Sequence, residues 1–337
     1  MVDATHKRFT ASDRSYHAII KKEAHNMAVN AGFDEKTTAE LDLILAEITS
    51  NLHKYTKDGE ILVGHFNKGD EDYIELISID NGPGIADLQR VMSDGFSSSN
   101  TMGHGLGSIK RLSDKFEVYS HKGWGTILLS RVYKVKPEKK RREKLAVTVN
   151  AVVVAKPSEV TSGDGFYFKT TNQYVKLLVA DGLGHGPEAN KAVNEAVKVF
   201  KQCPHHSPIE IIRYIHPEVR KTRGLVGTVV VFDLENRQIK IAGVGNISAK
   251  LLGGVVQKAH LAYNGIIGHN IPNTMNDQVA AFADFNQLIL CSDGIRSRWE
   301  PGKLPGISRA DASIQAAAIY KDFGRQTDDM SVVIAKF

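Results

Sequence analysis

Four aspartates stand at the ends of apolar runs between residues 145 and 337: Asp164 in Ser162-Gly163-Asp164-Gly165, Asp181 in Asp181-Gly182-Leu183-Gly184-His185-Gly186, Asp293 in Ser292-Asp293-Gly294, and Asp328 in Thr327-Asp328-Asp329-Met330. The runs Val175–Ala180, Leu288–Cys291 and Ser331–Ala335 read as buried strands that leave a carboxylate at the rim. Carboxylate oxygens are the preferred ligands of hard divalent cations. Two such cations about 3.5–4 Å apart can activate a water and clamp a phosphoryl group for in-line attack. The chemistry implied is hydrolysis of a phosphate ester. A lone Asp-Gly pair is ordinarily a turn, but four aspartates at strand ends, with Asp-Gly-x-Gly-His-Gly among them, ask for more. His185 is positioned either to protonate a leaving alkoxide or simply to shape the glycine-rich turn.

The first 130 or so residues carry an independent constellation. Leu41, Leu45, Ile48 and Leu52 recur at helical spacing, so one stripe faces a core, and Glu47 and Asn51, four apart, project together from a neighbouring face. A strand ending in Ile77-Ser78-Ile79 runs into Asp80-Asn81-Gly82-Pro83-Gly84, and Gly103-His104-Gly105-Leu106-Gly107 opens a further helix. A glycine-rich loop feeding a helix N-terminus favours phosphate through its amides and the helix dipole. An aspartate at a strand end can accept the exocyclic amine of adenine. Lys110 is either a phosphate contact or an exposed helix lysine.

In order and context, the aspartates from Leu145 to Phe337 resemble the PPM family of metal-dependent serine/threonine protein phosphatases, in its bacterial SpoIIE-type branch. By that resemblance, two Mn²⁺ or Mg²⁺ ions are expected. Asp181 would bridge them, Gly182 would offer its carbonyl, Asp293 and Asp328 would complete one shell, and Asp164 would support the second ion through water. Asp329 is the alternative to Asp328 as ligand. No arginine stands out in the sequence as a grip for the phosphate. The order Glu-x-x-x-Asn, Asp-x-Gly-x-Gly, Gly-x-Gly-x-Gly resembles the GHKL (Bergerat) ATPases, most of all the small RsbT-type switch serine kinases. That resemblance implies ATP and Mg²⁺, with Asn51 holding the ion, Glu47 as general base, Asp80 reading adenine, and Gly82, Gly84, Gly103, Gly105 and Gly107 shaping the pocket. The lid between Ile85 and Gly103 is short and serine-rich. The implied partner is a phosphorylated STAS-domain protein of the anti-anti-sigma type, with an anti-sigma factor as a further candidate. Two other readings stay open: an ATP/ADP-sensing module without transfer activity that controls the phosphatase, and a catalytically silent scaffold.

The elements that must position these residues follow from composition and pattern. A chain of 337 residues with 42% hydrophobic content can build two cores. The basic run Lys134–Lys144 contains Pro137 and lacks apolar periodicity, which makes it a linker between a domain at 1–133 and one at 145–337. The first is expected to be an α/β sandwich with helices on one face of a mixed sheet, the second an α/β/β/α sandwich. Helices are expected over 12–31, 34–55, 106–116, 187–202, 209–220 and 310–323, and a single strand region over 239–252. The net charge of +5 comes without aromatic interleaving or a DNA-binding helix pair, so nucleic acid is not an expected partner. No apolar run of about 18 residues spans a membrane, the N-terminus lacks a secretory pattern, and two cysteines without metal spacing fit a reducing cytoplasm. The sequence leaves a homodimer open.

Overall fold

Asp34 starts the helix that carries Glu47 and Asn51. In the computed structural model, which describes residues 5–11, 14–56, 58–68, 71–92, 102–136, 147–254, 256–300 and 303–337, its Oδ1 accepts the Thr37 amide at 2.6 Å, satisfying a first-turn donor that the helix cannot pair internally. The chain forms two compact units. One comprises residues 6–141 with 304–318, and the other residues 1–5, 142–303 and 319–337.

The first unit contains β1 (Lys7–Thr10), α1 (Arg14–Asn30), α2 (Glu35–Tyr55), β2 (Gly59–Lys68), β3 (Glu71–Asp80), α3 (Leu88–Met92), α4 (Met102–Leu112), β4 (Lys115–His121) and β5 (Gly125–Tyr133). Its strands form one sheet in the order β1-β2-β3-β5-β4. Every pairing is antiparallel, so the expected mixed sheet is corrected. The connection through α3 and α4 does return the chain in the direction of β3, but β5 is inserted between β3 and β4 and removes the parallel contact. Alternate strand residues Ile61, Val63, Ile74, Leu76, Leu128 and Val132 form one buried face. Ile20 and Ala24 of α1, Leu41, Ile44, Leu45, Ile48 and Leu52 of α2, and Ile109 of α4 complete that core.

The other face of the sheet holds buried charge. Arg131 donates through Nε to Glu75 Oε2 at 2.6 Å and through Nη2 to Ser313 Oγ at 2.8 Å and Asp311 Oδ1 at 3.3 Å. His6 Nε2 donates to Glu75 Oε1 at 3.1 Å, Asp311 pairs with Lys115, and the Asp311 amide donates to Glu117 Oε1 at 2.8 Å. Asp311 and Ser313 come from the 304–318 segment, which holds a 3-10 turn (Ile307–Arg309) and the start of α7 (Ala312–Phe323). A buried charge is tolerated only when paired and hydrogen-bonded, and Glu75, Arg131 and Asp311 each meet several partners.

The second unit has two five-stranded antiparallel sheets. Its helices besides α7 are α5 (Pro187–Gln202) and α6 (Pro208–Ile215). One sheet is ordered β13-β10-β9-β8-β7, from β7 (Asp164–Thr170), β8 (Tyr174–Gly182), β9 (Leu225–Asp233), β10 (Gln238–Val244) and β13 (Gln278–Ala281). The other is ordered β12-β11-β14-β15-β6, from β6 (Thr148–Val154), β11 (Ser248–Leu252), β12 (Gln257–His260), β14 (Gln287–Cys291) and β15 (Met330–Lys336). Leu177, Val179, Val230 and Phe232 from the first sheet meet Val153, Leu288, Leu290 and Val333 from the second in one core. On the outer face of the first sheet, Leu178, Val229 and Val231 pack with Val193, Phe200 and Ile212 of α5 and α6. Strands buried on both faces read as continuous apolar runs, which is why Val229–Phe232 shows no alternation.

The expected strand region over 239–252 is two strands in different sheets. Gly245, with φ of 103°, breaks them apart, and an added Cβ there would lie 2.2 Å from Val226 Cγ1, so only glycine permits the turn. The short strands β1, β12 and β13 lie at sheet edges and carry little apolar pattern, which is why sequence periodicity does not reveal them. Among the described residues, no helix is long and apolar enough to cross a membrane. Residues 93–101 of the expected lid and 137–144 of the expected linker lie outside the described residues.

Candidate metal and nucleotide sites

Strand register puts two of the four aspartates face to face. Asp164 opens β7, Asp181 stands near the end of β8, and the two are direct cross-strand partners. Like charges directly opposite in a sheet repel. Burial first, then Asp164, Asp293, Asp328 and Asp329, push the Asp181 carboxyl up to about 9. Burial also raises Asp164 to about 7, against the Ser292 hydrogen bond that pulls it down and with Asp329 adding to the rise. Asp164 is 1% exposed. Its Oδ2 accepts Ser292 Oγ at 2.5 Å, and its Oδ1 is buried without a hydrogen-bond partner among the described residues.

The neighbouring groups are held by specific contacts. Asp293 Oδ2 accepts Asn246 Nδ2 at 2.9 Å. Asp329 is 3% exposed and accepts the Lys156 amide through Oδ1 and the Gly163 amide through Oδ2, both at 2.8 Å. Asp328 is half-buried, and its Oδ1 accepts the Asp329 amide at 2.9 Å. Asp329 thus clamps the loop before β7, while Asp328 has one oxygen without a hydrogen bond among the described residues. Gly182 donates to Gly163 O at 3.0 Å, and a Cβ on it would meet Ala189 O at 2.2 Å. Gly294 is equally confined, with Asp329 O 1.9 Å from where a Cβ would stand. His185 Nδ1 donates to Glu159 Oε1 at 2.8 Å, which leaves Nε2 as its free nitrogen.

Among the described residues, no three His, Cys, Asp or Glu side chains already converge as a metal cluster. The donor set nevertheless fits hard cations. Carboxylates that raise one another's proton affinity, and a buried carboxylate oxygen lacking any donor, are relieved by positive charge.

The nucleotide motifs also meet. Glu47 and Asn51 lie one turn apart on α2, and a Cβ on Gly105 of α4 would stand 2.9 Å from Glu47 Oε2 and 3.4 Å from both Asn51 Oδ1 and Nδ2. Glycine at 105 therefore lets α4 approach the acid and the amide closely. Asp80 ends β3, and its Oδ1 accepts the amides of Gly82 at 2.7 Å and Thr126 at 3.2 Å. The Asp80–Ile85 loop is fastened to the β4–β5 hairpin: Gly123 N donates to Pro83 O at 2.8 Å and Ile85 N to Ser120 Oγ at 2.7 Å. Gly84, with φ of 70°, has His121 O only 2.1 Å from where a Cβ would stand. Gly103, Gly105 and Gly107 lie inside α4, not in a loop ahead of a helix; the helix starts at Met102 and ends at Leu112. Gly105 gives room against α2 at the cost of intrinsic helix propensity.

Sequence reasoning missed Glu159, Ser292 and the contact of Asn246 with Asp293. Glu159 and Ser292 have no motif of their own, because their partners lie 26 and 128 residues away. Asn246 could have been read as a polar residue at the end of an apolar strand.

Comparison with known proteins agrees with both halves. Residues 9–132 match the family described as histidine kinase-like ATPase domain. The serine/threonine-protein kinase RsbT of Bacillus subtilis (strain 168) is 36% identical over 101 residues, covering 30% of this chain and 76% of that protein. The phosphoserine phosphatase RsbX of the same organism is 25% identical over 135 residues, covering 40% and 67%. A solved structure from work on the bacterial stressosome, described as a modular system adapted to control secondary messenger signaling, shares 29% identity with a TM-score of 0.52, over 56% of this chain and 99% of that one. Through its N-terminal domain, which matches the histidine kinase-like ATPase domain over residues 9–132, the chain belongs to the RsbT family, and it joins that domain to a two-sheet unit similar in sequence to the phosphoserine phosphatase RsbX.

Proposed function

We propose that the chain is a cytoplasmic serine/threonine protein phosphatase of a partner-switching pathway that removes phosphate from a phosphorylated STAS-domain regulator. The observation that carries this reading is the mutually opposed pair of buried Asp164, with its unpartnered carboxylate oxygen, and half-buried Asp181. Two divalent cations, Mn²⁺ or Mg²⁺, would there neutralise the phosphoryl oxygens and activate the attacking water. Asp181, Asp293, Asp328 and the Gly182 carbonyl would hold them, with Asp164 oriented by Ser292 in support. His185, fixed through Nδ1 by Glu159, would give a proton from Nε2 to the departing serine oxygen.

The N-terminal unit would bind ATP with Mg²⁺ at Asn51 and the adenine amine at Asp80. Glu47 lies against Gly105 beside Asn51, where it could take the proton of a serine hydroxyl on a STAS partner during phosphoryl transfer. An anti-sigma factor and a second copy of the chain are further partners compatible with this role. The test is Mn²⁺-dependent release of phosphate from a phosphoserine protein. It should be lost in Asp293→Asn with the fold intact by circular dichroism, and equal turnover in that variant would overturn the metal-site assignment.

A further inference from the structure

We propose that Arg223 is the phosphate-gripping cation of the phosphatase site, supplied from the turn between α6 and β9. This rests on the phosphatase reading above and names a substrate contact within it. A Cβ on Gly184 would stand 2.8 Å from Arg223 Nη1, so the guanidinium lies over the backbone of the loop that carries Asp181 and His185. The two segments are tied together, because Leu183 N donates to Gly224 O at 3.1 Å and β8 pairs with β9 up to Gly182 opposite Leu225.

The turn that presents Arg223 is rigid. Thr222 Oγ1 donates to Val219 O at 2.6 Å and accepts the Gly224 amide at 3.1 Å. His269 Nε2 donates to the Arg223 carbonyl at 2.8 Å. Gly224 has φ of 77° and is walled in by His269 and Ile266. The side chain itself is exposed and makes no ion pair or hydrogen bond among the described residues, although a group of carboxylates surrounds Asp181 nearby. A guanidinium held over the Gly184 loop without a carboxylate partner among the described residues suits a dianionic phosphate, which it can grip with two parallel N–H bonds.

The experiment uses the full chain in saturating Mn²⁺ and compares wild type with Arg223→Ala, Arg223→Lys, and the control Arg220→Gln/Lys221→Gln. Inorganic phosphate binding by calorimetry and steady-state hydrolysis of a phosphoserine protein are both read. Arg223→Ala should weaken phosphate binding about tenfold and raise KM by a similar factor, with kcat changed less, because an interaction shared by ground and transition states is removed. Arg223→Lys should recover part of both, and the control should stay within about twofold. Mn²⁺ affinity should be the same throughout. Unchanged phosphate affinity in Arg223→Ala, no phosphate binding by the wild type, or an equal loss in the control overturns the proposal. If wild type binds phosphate through Arg223 but hydrolyses no phosphoserine protein, the phosphatase reading fails and the anion contact stands.

Discussion

Replacing Asp181 by asparagine should make the metal-free protein more stable while abolishing its response to metal. At pH 7 the wild-type carboxyl, pushed from 3.8 to about 9, stays protonated in the fold although it would ionise in the unfolded chain. The linkage penalty is the interval from 3.8 to 7 at about 1.4 kcal/mol per pH unit, or about 4 kcal/mol. Partial exposure of the side chain lowers this to about 2 kcal/mol. Asparagine carries no such penalty, and a gain of about 2 kcal/mol raises the melting temperature of a unit this size by roughly 4–8 °C. The sign sets the pH dependence too. A raised folded-state pKa means that stability is fully present below the unfolded value and lost as pH rises through the folded value, so metal-free wild type should weaken from about pH 4 to about pH 9 and the variant much less. Added Mn²⁺ at a hundred times its dissociation constant should stabilise wild type by about 2.7 kcal/mol and the variant hardly at all. Scanning calorimetry with and without EDTA reads both effects. A metal-free variant less stable than wild type, with the Mn²⁺ shift intact, would refute the reasoning.

Other consequences concern separate parts of the molecule. Asp80→Asn should weaken ATP binding by at least about tenfold in calorimetry, since an acceptor built for an amine loses its match, whereas Glu47→Ala should keep ATP affinity and lose transfer to a STAS protein; equal affinity in the Asp80 variant would contradict the adenine assignment. Arg131→Ala should destabilise the unit of residues 6–141 with 304–318 by about 3–5 kcal/mol in urea unfolding, because buried Glu75 would keep only His6 and Ser313 and Asp311 would keep only Lys115 of its two cations; a loss under about 1 kcal/mol would show that water takes its place. Glu159→Gln should slow hydrolysis of a phosphoserine protein roughly tenfold while sparing p-nitrophenyl phosphate, whose leaving group needs no proton; equal slowing of both would remove His185 from the acid role.

The sequence made legible what is local. Asp164, Asp181 and Asp293 sit beside glycines at strand ends, and Glu47 and Asn51 share a helix face, so pattern alone could group them. The boundaries of α5 follow from Pro187 at its first turn and match the expectation. Tertiary relations were hidden. The pairing of Glu75 with Ser313 joins residues 238 apart, and nothing near either announces a partner. The break at Gly245 was missed because Ile239–Val244 and Ser248–Leu252 are both good strand sequence, and only the positive φ between them turns the chain into a second sheet. The helical state of Gly105 ran against propensity, since its close approach to Glu47 and Asn51 of α2 outweighs the entropy that glycine loses there.

The most direct measurement is intact mass spectrometry of a phosphoserine STAS protein incubated with the full chain and Mn²⁺, in parallel with Asp181→Asn. Loss of one phosphate from the STAS protein with wild type, and its retention with the variant or with EDTA, is the predicted result. Retention of the phosphate by wild type across Mn²⁺ and Mg²⁺ would contradict the phosphatase assignment at its centre.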